Sequence, residues 1–309
     1  MTPTAAAWAS DDERGSRFAL RLMAFIATTL GRPVARLVLH GIAAYFVLFA
    51  PQARRHSKRY LTRALGRPAT LADVYRHVHA FASTVLDRVY LARGQLELFD
   101  LHVEGGALMD ELVAGGRGAV LLGAHLGSFE ALHAMGASRP GMRVAMAMFP
   151  RNARMIHGIL KAVAPQAHLD VIEIGRPETT LAVKDWLDGG GLVGMLGDRH
   201  LHDDGARTGL VAVPFLGREA LFSEGPLRLA MILRRPVIFM VGLYRGGRRY
   251  DVRFEPLADF STPIRDAAER ERRLREALRG YVQRLEALCR EAPENWFNFF
   301  DFWHEDQAT

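Results

Sequence analysis

Cysteine is almost absent from this sequence: Cys289 stands alone among 309 residues. That excludes a disulfide framework and a cysteine-based zinc site, and it makes the chain compatible with a reducing cytoplasm. Lysine is nearly as scarce. Of 40 basic side chains only Lys58, Lys161 and Lys184 are lysine, the others being arginine, and the formal net charge is +6. Arginine clamps phosphate bidentately, so this balance points to an anionic membrane surface or an acidic carrier protein. A GC-rich coding sequence is the plainer account. Zinc-finger spacing, an aromatic RNP sequence and a basic zipper are all missing, so nucleic acid is not an expected partner. The longest charge-free run, Leu37–Ala50, has 14 residues, against roughly 20 for a membrane span. Met1-Thr-Pro-Thr leads into Asp11, Asp12 and Glu13 rather than a basic start and an apolar core, so a secretory signal is not expected.

What is present divides the chain into a helical region over residues 1–100 and an α/β domain over 101–309. Phe18–Ala50 is apolar, interrupted by Arg21, Arg32 and Arg36 and followed by Arg54, Arg55, Lys58 and Arg59. An apolar helix with basic edges reads as a segment in the membrane interface that reaches anionic headgroups with its arginines. A buried core helix and a true span are the alternatives. Thr70–Arg93 is a helix, with Thr70 and Asp73 as capping residues. Beyond Val103 short apolar runs alternate with helical segments. Strands are expected at Ala119–Gly123, Arg143–Phe149, Leu169–Ile174, Gly191–Leu196 and Pro236–Leu243. Helices are expected at Phe129–Ala137, Ala153–Ala164, Glu178–Leu187 and Ser223–Leu233. This alternation predicts a largely parallel central sheet with helices on both faces. Arg245-Gly-Gly-Arg248 bridges a hairpin, and Asp266–Arg290 is a long charged amphipathic helix.

Ala119-Val-Leu-Leu-Gly-Ala-His125 is a buried strand running into a turn. Ligands of open α/β sheets bind beyond such strand ends. Gly123 and Gly127 permit tight backbone and close approach of substrate. A helix beginning near Ser128 puts Glu130 in its first turn, from which a carboxylate reaches back toward the imidazole. Neutral imidazole suits removal of a proton from an attacking hydroxyl near pH 7, and a carboxylate partner fixes its tautomer. No enzyme nucleophile is needed, and no Gly-x-Ser-x-Gly elbow is present. The bland alternative is a polar turn histidine and a glutamate favoured by the helix dipole.

Gly-Ala-His125-Leu-Gly-Ser-Phe-Glu130 resembles the H-x4-E/D block of the lysophospholipid acyltransferase superfamily, especially its bacterial lipid A late acyltransferase branch. Ser128 and Phe129 depart from that branch's usual pattern. Val193-Gly-Met-Leu-Gly-Asp198, Val213-Pro-Phe-Leu-Gly217 and Gly225-Pro-Leu-Arg-Leu-Ala230 are similar to further blocks, with Arg199 in place of a glutamine. The resemblance implies transfer of an acyl group from a carrier-protein or CoA thioester to a lipid or glycolipid hydroxyl, with no cofactor. His125 is then the general base, Glu130 its orienting partner, and Asp198 a supporting acid. Gly127, Ser128, Arg199, Phe215 and Gly217 fall on the substrate-binding side. A basic residue between the blocks would stabilise the oxyanion or hold a carrier phosphate; Arg151, Arg154 and Lys161 are the candidates. The implied place is the cytoplasmic face of the bacterial inner membrane, peripheral or monotopic. The tail Pro293-Glu-Asn-Trp-Phe-Asn-Phe-Phe-Asp-Phe-Trp303 is unlike that branch and closer to relatives beside aryl-polyene pathways. Its six aromatics would line an acyl groove, sit at the interface, or pack across the sheet, and the difference argues against lipid A itself as acceptor.

Two rival readings stand beside this one. Asp198-Arg-His200-Leu-His202-Asp-Asp204 resembles the opening of metallo-β-lactamase-like hydrolase sites, where two histidines and an aspartate bind zinc; a polar surface loop is its plainer reading. The other rival is a membrane-docked protein that binds acyl chains without chemistry.

Overall fold

The computed structural model describes residues 29, 31–130, 136, 141–150, 158, 164, 169–175, 178–199 and 209–304. Three helices come first: α1 (Gly31–Phe49), α2 (Pro51–Leu65) and α3 (Leu71–Ala92). Pro51 starts α2 where its missing N–H costs nothing. At α3 the Thr70 side chain accepts from the Asp73 amide while Asp73 accepts from the Thr70 amide, closing a capping box. The expected helix is therefore present with its expected caps.

Every fourth residue of α1, Ala35, Leu39, Ala43 and Val47, is buried, and the helix packs on α3. Leu37, Tyr45, Leu48 and Phe49 on its other side are exposed. Arg32 and Arg36, expected at lipid headgroups, turn inward instead. Arg32 clamps the buried Asp87 carboxylate with bonds of 2.8 and 3.0 Å, and Tyr250 donates to the same group at 2.8 Å. Arg36 donates to the Tyr244 hydroxyl and the Gly247 carbonyl. The cause is Asp87: its buried charge needs a cation more than solvated arginines need a headgroup. Burial still pushes the Asp87 carboxyl up against the pull of Arg32, so this bridge sets the seat of α1 on the hairpin that carries Tyr244 and Tyr250 more than it adds stability.

The central sheet has seven strands in the order β1-β9-β8-β2-β5-β3-β4: β1 (Asp100–Glu104), β2 (Ala119–Gly123), β3 (Val144–Met148), β4 (Asp170–Glu173), β5 (Leu192–Leu196), β8 (Pro236–Tyr244) and β9 (Arg249–Asp259). All neighbouring pairs are parallel except β8 with β9. This is the largely parallel sheet the alternating pattern predicts, with the hairpin at Arg245–Arg248 reversing β9. Alternate residues of β2 enter different cores: Val120 and Leu122 face the larger one with Phe239, Tyr281 and Trp296, and Ala119 and Leu121 face Met109 of α4 (Gly106–Gly115). Tyr60, Leu61 and Val74 belong to the larger core, so α2 and α3 share one apolar interior with the sheet. Helices α5 (Thr179–Asp188), α6 (Gly225–Ile232) and α7 (Ala267–Glu291) follow along the chain. A separate antiparallel pair, β6 (Leu210–Phe215) and β7 (Arg218–Ser223), turns at Leu216 and Gly217, both left-handed with φ of 51° and 79°.

Candidate active site

Strands β2 and β5 lie side by side in parallel, with Gly123 opposite Leu196. His125 and Asp198 each stand two residues beyond that pair, so the register alone brings them together at the carboxyl edge. The ladder continues one step further, Gly197 donating its N–H to the Gly123 carbonyl at 3.0 Å. Beyond it the Asp198 Oδ1 accepts from the His125 amide at 3.0 Å and meets the imidazole Nδ1 at 2.9 Å. A carboxylate accepts only, so Nδ1 carries the proton. The His125 side chain is one-third exposed while Asp198 has none of its side chain in solvent. Nε2 has no partner among the described residues.

Asp198 keeps its charge against its surroundings. Desolvation raises its pKa, but His125, Arg199 and the Trp296 indole outweigh it and hold the carboxyl down to about 2. Trp296 Nε1 donates to the second oxygen, Oδ2, at 2.9 Å. Both oxygens of this buried carboxylate are thereby satisfied.

Glu130 sits elsewhere than expected. Nδ1 has room for one partner and Asp198 takes it; the Glu130 carboxylate is drawn to Arg88 of α3, 2.6 Å away, and accepts from the Ser128 hydroxyl at 3.3 Å. Of the other predicted residues, Gly127 and Ser128 shape the turn. Gly127 has φ +72°, and a Cβ there would come within 2.0 Å of the Gly242 carbonyl oxygen. The turn's amides are occupied: Gly127 donates to the Asn295 carbonyl at 2.8 Å and Ser128 to the Gly242 carbonyl at 2.7 Å. Neither is open to a substrate oxyanion. Arg199 is solvent-accessible yet crowded by protein, which lowers its pKa against the pull of Asp198. It donates to the Phe297 carbonyl at 2.9 Å and lies over the Phe300 ring. Phe215 is wholly buried, edge-on to Trp296 at 5.2 Å, so it backs the site from within the core. Gly217 forms the β6–β7 turn. Arg151, Arg154 and Lys161, together with His200, His202 and Asp204, lie outside the described residues. Among the described residues no group of three histidine, cysteine, aspartate or glutamate side chains is placed to hold a metal.

The carboxyl-terminal segment is the part of the site that sequence reasoning missed. It is stitched to the His125 turn strand-fashion: Phe297 donates to the His125 carbonyl at 2.9 Å, and Leu126 pairs with Trp296. The Asn295 side chain bonds both the N–H and the carbonyl of Tyr244. His77 of α3 holds the Trp296 carbonyl at 2.9 Å, and since a carbonyl only accepts, its Nδ1 takes the Ser57 hydroxyl proton at 2.8 Å. The tail thus packs into the protein, with Trp296, Phe297 and Phe302 inside and Phe299, Phe300 and Trp303 half-buried. The visible signal was a polar pair, Asn295 and Asn298, set inside an apolar aromatic run.

The site is thus a part-exposed imidazole oriented through Nδ1 by a buried carboxylate, with its other ring nitrogen unpartnered among the described residues. Over residues 14–305 the chain matches the model of the bacterial lipid A biosynthesis acyltransferases, and it belongs to that family. It is an acyltransferase acting on lipid. None of the curated proteins matches it.

Proposed function

We propose that the protein transfers a fatty acyl or polyenoyl group from a phosphopantetheine thioester, carried by acyl carrier protein or CoA, to the hydroxyl of a lipid or glycolipid. The observation that carries this reading is the His125 Nδ1–Asp198 contact at 2.9 Å, with Nε2 unpartnered among the described residues. Nε2 takes the proton of the acceptor hydroxyl as its oxygen attacks the thioester carbonyl. The tetrahedral intermediate collapses with loss of the C–S bond, and the imidazolium returns the proton to the departing thiolate. Asp198 fixes the tautomer and stabilises the imidazolium. With the amides of Gly127 and Ser128 engaged, oxyanion stabilisation falls to a cation, Arg199 or one of Arg151, Arg154 and Lys161. Glu130, neutralised by Arg88, serves the acceptor side of the turn.

Membrane docking fits the same reading. Leu37 and Phe49 on α1 are 72% and 67% exposed, and Arg55 and Lys58 of α2 are exposed beside that helix. The 19 residues of α1 are about long enough to cross a bilayer. With the Ala35–Val47 face committed to α3, an in-plane seat on the cytoplasmic leaflet is the arrangement that keeps both faces satisfied.

The test is transfer of label from [14C]lauroyl–acyl carrier protein or [14C]lauroyl-CoA to a total bacterial lipid extract. His125→Ala and Asp198→Asn are each expected to lower kcat by roughly 10^3-fold or more, by analogy with loss of a base or its orienting acid. Glu130→Gln is expected to raise KM for the acceptor more than it lowers kcat. Retention of full transfer by His125→Ala sinks the general-base mechanism.

A further inference from the structure

We propose that Trp296 is a positioning residue of the acyl-transfer site, its indole N–H holding Asp198 in the ionised, correctly turned state that orients His125. This rests on the role given to His125 and Asp198 above.

The argument begins with what a buried carboxylate requires. Asp198 is 1% exposed, and a charge so enclosed persists only if its oxygens are hydrogen-bonded. Oδ1 already accepts two donors from His125, its amide and its ring. Among the described residues Oδ2 has one, the Trp296 indole at 2.9 Å. An indole N–H donates, never accepts, and does not titrate in the working range. It therefore supplies a permanent donor that turns Oδ1 toward the imidazole.

The donor itself is fixed on every side. Its ring meets Tyr60 at 4.9 Å, Phe215 at 5.2 Å and Phe302 at 4.9 Å, each edge-on. Its carbonyl is held by His77, and the Tyr60 hydroxyl donates to the Pro293 carbonyl at 2.8 Å. A ring clamped this firmly is more than filler; filler needs neither a fixed rotation nor an aimed N–H.

Loss of the N–H has a defined electrostatic consequence. With Oδ2 unpaired, the carboxylate becomes more basic and draws harder on the Nδ1 proton, so the imidazolium is favoured and the His125 titration moves to higher pH. The other ionisable groups near the pair, among the described residues, do not mimic this. Arg199 stays cationic, burial holds Tyr281 and Cys289 neutral, burial likewise keeps His77 neutral down to about pH 4, and Arg88 is paired with Glu130.

The experiment compares the parent protein with Trp296→Phe and with a variant carrying β-(3-benzothienyl)alanine at position 296, which keeps the ring shape and replaces N–H by sulfur. Transfer from lauroyl–acyl carrier protein to total lipid extract gives kcat, KM and the pH profile. Histidine-selective 15N spectra, assigned with His125→Gln, give the His125 titration without any acceptor. We expect kcat to fall roughly 10- to 100-fold, the scale of one hydrogen bond to a charged group. Donor KM should be unchanged, and the acid limb and the His125 titration should move up together. If Trp296→Phe fails to fold, the benzothienyl variant decides. Parental kcat and an unmoved titration in that folded variant overturn the proposal. Full activity in Asp198→Asn and His125→Ala would instead overturn the reading on which it rests.

Discussion

At the scale of single residues, the site depends on where side chains are denied as much as on where they are placed. Gly127 must be glycine for two independent reasons, its φ of +72° and the Gly242 carbonyl that a Cβ would strike at 2.0 Å. Both constraints bear on the turn that carries His125. Gly127→Ala is expected to destabilise the protein by about 3 kcal/mol or more, since a backbone clash cannot relax as a side-chain clash does. Chemical denaturation measures this, and a loss below about 1 kcal/mol would show that the turn has more room than its geometry implies. Glu130 illustrates the opposite case. Its place in the first turn of the helix after His125 was evident from spacing, but its partner was not, because Arg88 approaches from a helix 42 positions earlier in the chain.

At the scale of elements, α1 has two apolar faces with different fates. Ala35, Leu39, Ala43 and Val47 are inside; Leu37 and Leu48 are 72% and 64% exposed. The docking reading predicts different responses from the two sides. Leu37→Glu with Leu48→Glu should weaken binding to phosphatidylglycerol-rich vesicles at least roughly 10-fold while leaving Tm within about 2 °C, because the exposed side contributes to partitioning and not to the core. Leu39→Glu should instead lower Tm sharply. Co-sedimentation and thermal melts read both, and unchanged vesicle binding in the double variant would reject the membrane seat. The β8–β9 hairpin has a comparable double duty. Its tip and edge receive Arg32, Arg36 and the Asn295 side chain, so one element anchors both ends of the described chain.

At the scale of the whole molecule, buried ionisable groups make stability depend on acid in two stages. His77 is buried neutral, and its pKa falls from 6.5 to about 4 chiefly through desolvation, which the Trp296 carbonyl only partly opposes. Between those values the unfolded chain binds the proton that the folded chain refuses. The contribution is therefore fully present above about pH 6.5 and lost as pH falls to about 4, in all about 3 kcal/mol. A second stage follows. Asp198 and Glu291 are held down to about 2, so the stability they contribute is present above the ordinary carboxylate range and disappears as pH falls through about 2. Melts across pH 4–8 should show Tm declining below pH 6.5, with the slope flattened in His77→Gln. An identical slope in that variant would assign the decline elsewhere. Because His77 grips the Trp296 carbonyl, activity should fail along with stability in this range.

Local sequence determined the elements and half of the chemistry. Alternating apolar runs and helical spacing sufficed for β2, β3, β5, α3 and α7, because periodic burial is written into consecutive residues. The strand end at Gly123 sufficed to single out His125, and the family's blocks to mark Asp198. Three things were decided only by the tertiary structure. The β2–β5 register paired His125 with Asp198, the demand of a buried Asp87 turned Arg32 inward, and the aromatic tail was drawn under the His125 turn. Each is a contact between residues far apart in the chain, set by which partner satisfies a buried charge or hydrogen bond. No spacing along one sequence encodes that choice, because desolvation is a property of the assembled interior.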